Sequence, residues 1–396
     1  MIPRRTIHCV DGEISFIREA VLADRRRFRG SMGAFEERFA SFIGIVNAVT
    51  VPSGRTGMEY ILKALDLKRG SEVVIPAYTL KDLVPIIESL GLVAVLADVD
   101  PESFNVTAES VDACLTDRTS AVIAADLFGV PCRIDEIMRA ARRRGVPVIE
   151  DCAHSAGSRY RGRMAGSLAD AAFFSFETIK PVNAYGGGAV VTGSGALARS
   201  IRAMVSSTAN AGDIPLKKIM SAYMEKVFLP TPLSYPFLRM LASDTLHKQF
   251  YRLYRTAQAA GSRGGCFTDF QAFLAMRKLE SLPARILKRE ENAVLLKSLL
   301  DEDIRPQKVE QEMAPNYYFF VVLVPDRAVE ARRYLLDHGV DAGIKSEIAD
   351  DCTLTLGGSC PNTSRIYNRA LHIPVHESMC RRDIEKIAAL LNRFYQ

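Results

Sequence analysis

The chain has 396 residues, 48% of them hydrophobic and 24% charged, with a net charge of +5. This is the composition of a soluble globular protein, long enough for a large core plus a smaller lobe, and no run approaches the ~18 apolar residues of a membrane-spanning helix. The basic residues cluster only in short runs, such as Arg25-Arg26-Arg27 and Arg142-Arg143-Arg144, with no interleaved aromatics, so a nucleic-acid surface is not expected and the runs read as solvated helix faces. Eight cysteines show no CxxC pair or metal-like spacing, and Met1-Ile2-Pro3-Arg4-Arg5 is not followed by an apolar signal region. Reduced thiols, no metal and a cytoplasmic protein are the expectation.

Residues 12–66 read as mainly helical. Phe35, Phe39 and Phe42 recur at helical spacing and predict an amphipathic helix with a buried aromatic face. Ala48 to Val51 is a short strand, and a turn, Pro52-Ser53-Gly54-Arg55-Thr56-Gly57, then opens a helix from about Met58 to Leu65. A glycine-containing turn at a helix start offers N–H groups and the positive dipole end to an anion such as phosphate, although such turns are common. Further strands are predicted over 72–76, 92–97 and 121–125, with helices over 84–90, 108–115 and 134–144. This alternation predicts an α/β fold with a mainly parallel sheet flanked by helices.

Two more apolar runs follow. Val146 to Ile149 ends in Glu150-Asp151-Cys152-Ala153-His154. Ala171 to Phe176 carries Ser175 and is followed by Lys180 and by Gly186-Gly187-Gly188. In open α/β sheets the chemistry lies past the carboxyl ends of strands. An acid, a histidine, a serine and a lysine placed there fit pyridoxal 5'-phosphate (PLP), which takes a Schiff-base lysine and a carboxylate for its pyridinium nitrogen. Asp151 has an alternative reading as a helix cap, and a lone lysine or histidine is more often structural. The combination is what carries the reading.

Glu150-Asp151-Cys152-Ala153-His154, Phe174-Ser175-Phe176-Glu177-Thr178-Ile179-Lys180 and the glycine triplet together resemble the DegT/StrS family of sugar aminotransferases, PLP enzymes of fold type I. The resemblance implies that Lys180 is catalytic and binds the cofactor covalently. It also implies that Asp151 faces the ring nitrogen, that His154 lies near the 3-oxygen, and that Ser175 and the Gly54 turn hold the phosphate. Arg55 stands where the family has Thr or a small residue; its backbone can still serve the cofactor phosphate, and its side chain is a candidate for the donor carboxylate. Leu80 stands where the family has a ring-stacking Phe or Trp; Tyr78, two residues earlier, is the alternative. Pro181 follows the lysine where Asn is usual, and Asn183, which comes later, is the candidate for that asparagine's cofactor-binding place.

The resemblance thins over 205–265, an apolar segment broken by Pro230, Pro232 and Pro236. Its Tyr235, Phe237, Leu238 and Leu241 have three possible placements: packed on a dimer partner or in the core, over the site, or on a lipid surface. From Thr268-Asp269-Phe270-Gln271-Ala272 onward a long helix is expected, then a strand over 316–324, a helix over 327–338, a short strand within 368–376 and a last helix over 383–394. His372 and His376 flank a proline and read as structural. The expected organisation is a large PLP-binding domain, 1–265, and a connecting helix with a small C-terminal α/β domain, 266–396. By resemblance the protein is a homodimer moving an amino group from Glu or Gln to a keto-sugar, commonly nucleotide-linked. The alternatives are a sugar dehydratase on the same scaffold, in which histidine replaces the lysine, or a non-catalytic regulator. Lys180 speaks against both.

Overall fold

The computed structural model describes residues 1–22, 25–207, 213–241 and 266–396. A seven-stranded sheet forms the centre. Its strands, in chain order, are β1 (Asn47–Val51), β2 (Glu72–Pro76), β3 (Val93–Ala97), β4 (Thr119–Ala125), β5 (Val148–Asp151), β6 (Ala171–Ser175) and β7 (Gly188–Thr192). In space they lie β1-β7-β6-β5-β4-β2-β3. β7 runs antiparallel to both its neighbours and the remaining pairs are parallel.

Helices cover both faces, which is why most of these strands read as unbroken apolar runs. Alternate residues point to opposite sides. Val74, Val122, Ala124 and Val148 pack with Ile137, Met138 and Ala141 of a helix spanning Ile134–Arg142. Val73, Ile75, Ala121, Ile123 and Ile149 pack with Met58, Ile61, Val84 and Ile87 on the other face. The expected N-terminal aromatic face is present in the helix Ser31–Ile43, whose Phe35 and Phe39 are buried against Phe174 and Phe176.

A 31-residue helix, Asp269–Leu299, links the two lobes. Thr268 caps it, accepting from the N–H of Gln271 while the Gln271 side chain accepts from the Thr268 N–H. Its first half, through Ala272, Ala275, Leu279 and Leu282, packs in the large domain; Ala293 and Leu296 belong to the C-terminal core. The C-terminal lobe has a four-stranded antiparallel sheet, in spatial order Arg305–Pro306, Phe320–Leu323, Ala370–Ile373 and Gly343–Ile344. Helices Ala328–Asp337 and Arg381–Tyr395 pack on it.

Several boundaries differ from the sequence reading: the helix expected from Met58 starts at Gly54, the one expected over 108–115 ends at Asp112, and two strands of the C-terminal lobe are shorter. The strand expected over 316–324 begins only at Phe320, because the residues before it are bent: Tyr317 takes a left-handed φ of 48° and the Asn316 side chain accepts from the Tyr318 N–H. The strand within 368–376 is confined to Ala370–Ile373, since a helix, Pro361–Arg369, runs up to it. His372 is buried with its ring 3.9 Å from Phe319, and His376 bonds Ser378 and the Pro3 carbonyl, as structural residues do.

Within the 205–265 segment, two helices after the first are described, Leu216–Phe228 and Ser234–Leu241. Tyr235 donates to Asp337 at 2.9 Å and Leu238 is buried against Leu336, so both face the C-terminal lobe of their own chain. Phe237 packs edge-on to Phe228. The Leu241 side chain lies outside the described residues. No helix among the described residues is long and apolar enough to cross a membrane.

Candidate active site

The carboxyl ends of β5 and β6 lie side by side, with Asp151 opposite Phe173 in register. Asp151 closes β5 and Ser175 closes β6; Lys180 follows five residues later in a turn where its N–H donates to the Glu177 carbonyl at 2.9 Å. Burial raises the Asp151 carboxyl to about 6, against the Ala153 N–H and the positive charge of Lys180, which both favour the ionised form. Burial lowers the Lys180 amine to about 8, against Asp151 and Glu177. The two groups therefore feel each other's charge, yet no direct ion pair joins them.

Lys180 Nζ sits 4.8 Å from the centroid of the Tyr318 ring. That ring stacks on His154 at 4.5 Å. His154 Nδ1 accepts from the Phe128 N–H at 3.2 Å, which leaves the proton of the neutral ring on Nε2. Burial, with the Lys180 charge added, holds this imidazole well below its ordinary value, so it is neutral. Tyr318 is a site residue that the sequence reading missed. It was assigned to a strand, and the signal for the bend, an asparagine before two tyrosines, is weak. Asn316 fastens this bend to the large domain: its Nδ2 donates to the carbonyls of His154 (2.8 Å) and Ala156 (3.0 Å).

The turn at Ser53-Gly54 also forms at this edge. The helix Gly54–Ala64 is capped by Ser53, which accepts from the Thr56 N–H at 3.1 Å. Gly54 lies against Ser175: a Cβ on Gly54 would stand 3.2 Å from both Ser175 Cβ and the Phe174 carbonyl oxygen. The helix start and Ser175 are thus packed directly together. Arg55 is engaged by Asp82 at 2.7 Å. Tyr78 is fully buried, its ring edge-on to Phe128 at 6.1 Å, and its hydroxyl has no hydrogen-bond partner among the described residues. Asn183 points elsewhere. Its amide donates to the His8 carbonyl at 3.1 Å and its oxygen accepts from Lys278 at 2.5 Å.

The profile of the DegT/DnrJ/EryC1/StrS aminotransferase family matches residues 21–392. The chain belongs to this family. Among its relatives are the L-glutamine:2-deoxy-scyllo-inosose aminotransferases of Streptomyces fradiae, 30% identical over 298 residues, and of Streptomyces paromomycinus, 26% identical over 322 residues. These matches cover 75% and 81% of this chain; they span 63% and 69% of the relatives' lengths. The fold is shared with DesI, solved in the presence of its TDP-sugar product, at a TM-score of 0.76 and 24% identity over 99% of this chain and 92% of that one.

PLP is the cofactor of the DegT/DnrJ/EryC1/StrS aminotransferases. The donor set here fits it. An amine and a carboxylate, both half-buried, feel each other's charge without touching, a neutral imidazole carries its N–H on the Nε2 side, and a helix start packs against Ser175. A metal reading fits less well. Asp126, Glu150 and Cys152 do cluster. However, Asp126 already accepts from the Cys132 N–H and the Ser155 hydroxyl, and Glu150 from the Gly166 N–H.

Proposed function

We propose that the chain is a PLP-dependent aminotransferase that moves an amino group from glutamine or glutamate to the keto group of a polyhydroxylated ring. The reading rests on one observation: the Lys180 amine lies 4.8 Å over the Tyr318 ring that stacks on His154, at the sheet edge where Asp151 and Ser175 close neighbouring strands. Bound PLP would supply an electron sink for the carbanion formed when a proton leaves the amino-bearing carbon. The chain's residues supply the rest. Asp151 would keep the ring nitrogen protonated. The depressed amine of Lys180 would serve as nucleophile and, once displaced, as the base that moves the proton. His154 would offer its Nε2–H to the cofactor's oxygen. Gly54, with the N–H groups of its turn, and Ser175 would hold the phosphate.

Two acceptor chemistries compete for the second half-reaction. The names of the curated relatives favour a cyclitol ketone with glutamine as donor, whereas the TDP-sugar product of DesI favours a nucleotide-linked keto-sugar. The helix Leu216–Phe228 adjoins the lysine loop, with Lys218 bonding Glu177 at 2.7 Å, and we assign it a part in shaping the acceptor pocket. A homodimer, with PLP near the subunit boundary, completes the proposal. The test is to incubate the protein and PLP with glutamine or glutamate and either acceptor, and to assay the aminated ring by mass spectrometry. Amination of one acceptor supports the reading and selects the class. No amination, together with no visible absorbance from lysine-bound PLP, removes it.

A further inference from the structure

The long helix Asp269–Leu299 carries buried polar side chains at seven-residue intervals: Asn292, which donates to the His376 carbonyl, and, nearer the helix start, Gln271, Lys278 and Arg285, exposed 5%, 0% and 6%. Seven residues are close to two helical turns, so all four lie on one face. Gln271, Lys278 and Arg285 each hold a different residue of the segment directly after Lys180. Gln271 Nε2 donates to the Ala184 carbonyl at 3.1 Å, Lys278 Nζ to Asn183 Oδ1 at 2.5 Å, and Arg285 Nη2 to the Pro181 carbonyl at 2.7 Å. Arg285 Nη2 also reaches back to the Lys278 carbonyl at 3.1 Å, in the direction helical side chains lean.

The opposite side of the segment is held by the N-terminus. Asn183 Nδ2 donates to the His8 carbonyl, and Tyr185 donates to Glu13, whose carboxylate also takes Lys278 at 3.1 Å. A buried lysine with no exposed surface is costly unless paired, and packing alone does not require one here.

We propose that Gln271, Lys278 and Arg285 are positioning residues for the Lys180 amine. They fix the backbone after the lysine, so that its side chain alone moves when the donor displaces it and when it returns. This rests on the assignment of Lys180 as the PLP lysine. The same helix bonds Glu377 through Arg289 at 2.7 Å, so the C-terminal lobe and the lysine segment share one rigid support.

Asn183→Ala removes the segment's end of the central bond while leaving the Lys278–Glu13 pair intact; Lys278→Met is the companion variant, with more risk to folding. Three quantities are read: kcat and the donor KM per PLP-loaded site, backbone hydrogen exchange over 181–186 in the apo protein, and the pH dependence of reductive methylation at Lys180 in the apo protein. Expected for Asn183→Ala are a kcat lower by about 10- to 100-fold with the donor KM within about twofold, faster exchange over 181–186, and a displaced methylation midpoint. Unchanged kcat, exchange and midpoint, with only a lower melting temperature, would overturn the proposal. A wild type inactive with PLP defeats the PLP assignment instead. The two apo measurements then still decide whether the helix restrains the segment and its amine.

Discussion

The amine of Lys180 lies 4.8 Å over the ring of Tyr318, a residue of the C-terminal lobe. This contact joins the two lobes at the proposed reacting atom. The same ring stacks on His154, so it orders both groups at once. Tyr318→Phe keeps the ring and is expected to retain most activity. Tyr318→Leu removes the stack and the cation–π contact, worth about 0.5–2 kcal/mol, and should lower kcat by roughly 10-fold. Steady-state kinetics on the pair checks this; equal activity would show that the ring is packing only.

Asp151→Asn replaces an anion by a neutral group of the same shape. The turn at Gly54, proposed for the phosphate, and Lys180 remain, so PLP should still bind. Without the carboxylate the ring nitrogen is no longer held protonated, and kcat should fall by roughly 10²–10³-fold or more. Comparing PLP affinity with kcat separates the two roles, and a large loss of affinity with little loss of kcat would contradict this account.

The pH dependence of cofactor capture follows from Lys180. Burial lowers its amine to about 8, so it is protonated and non-nucleophilic below that pH and free above it. The rate at which apo protein takes up PLP should rise through about pH 8. A midpoint near the ordinary lysine value of 10.5 would place the amine in water.

Glu377 ties the long helix to the C-terminal lobe. Burial pushes its carboxyl up, but Arg289 and Arg285 outweigh burial and leave it at about 2, against an ordinary 4.5. Because the folded value is the lower one, this stabilisation is present above about 4.5 and is lost as pH falls toward 2. Glu377→Gln leaves two buried guanidinium groups without their anion and should cost about 3–5 kcal/mol near pH 7. Urea unfolding at neutral and acid pH measures both effects, and the variant should lose much of the wild type's acid dependence.

Gly129 has φ +91°, and a Cβ there would fall 2.0 Å from Asn316 Oδ1. Gly129→Ala should therefore displace Asn316, loosen His154 through its carbonyl, and destabilise by at least the order of 1–3 kcal/mol that left-handed strain alone costs. Melting temperature and activity should fall together.

Much of the large domain was legible in the sequence. Strands buried on both faces must be apolar throughout, and their polar ends mark the edge where chemistry collects; the placement of Asp151, Ser175 and Lys180 at that edge was readable in this way. Gly54 was ambiguous alone, and only its contact with Ser175 makes the turn specific. Asn183 and Tyr318 were not legible, for a common reason. What each side chain meets is set by contacts across the chain, with Lys278 in one case and His154 in the other. Local pattern carries no trace of either. The apolar residues of 234–241 left three placements open; the structure turns Tyr235 and Leu238 inward against a helix almost a hundred residues away.

The most direct measurement is chemical. Protein incubated with PLP, reduced with borohydride and digested should carry the pyridoxyl mass on the peptide containing Lys180, and Lys180→Ala should carry none. Label on another lysine, or a wild type that takes up no label at all, would contradict the account.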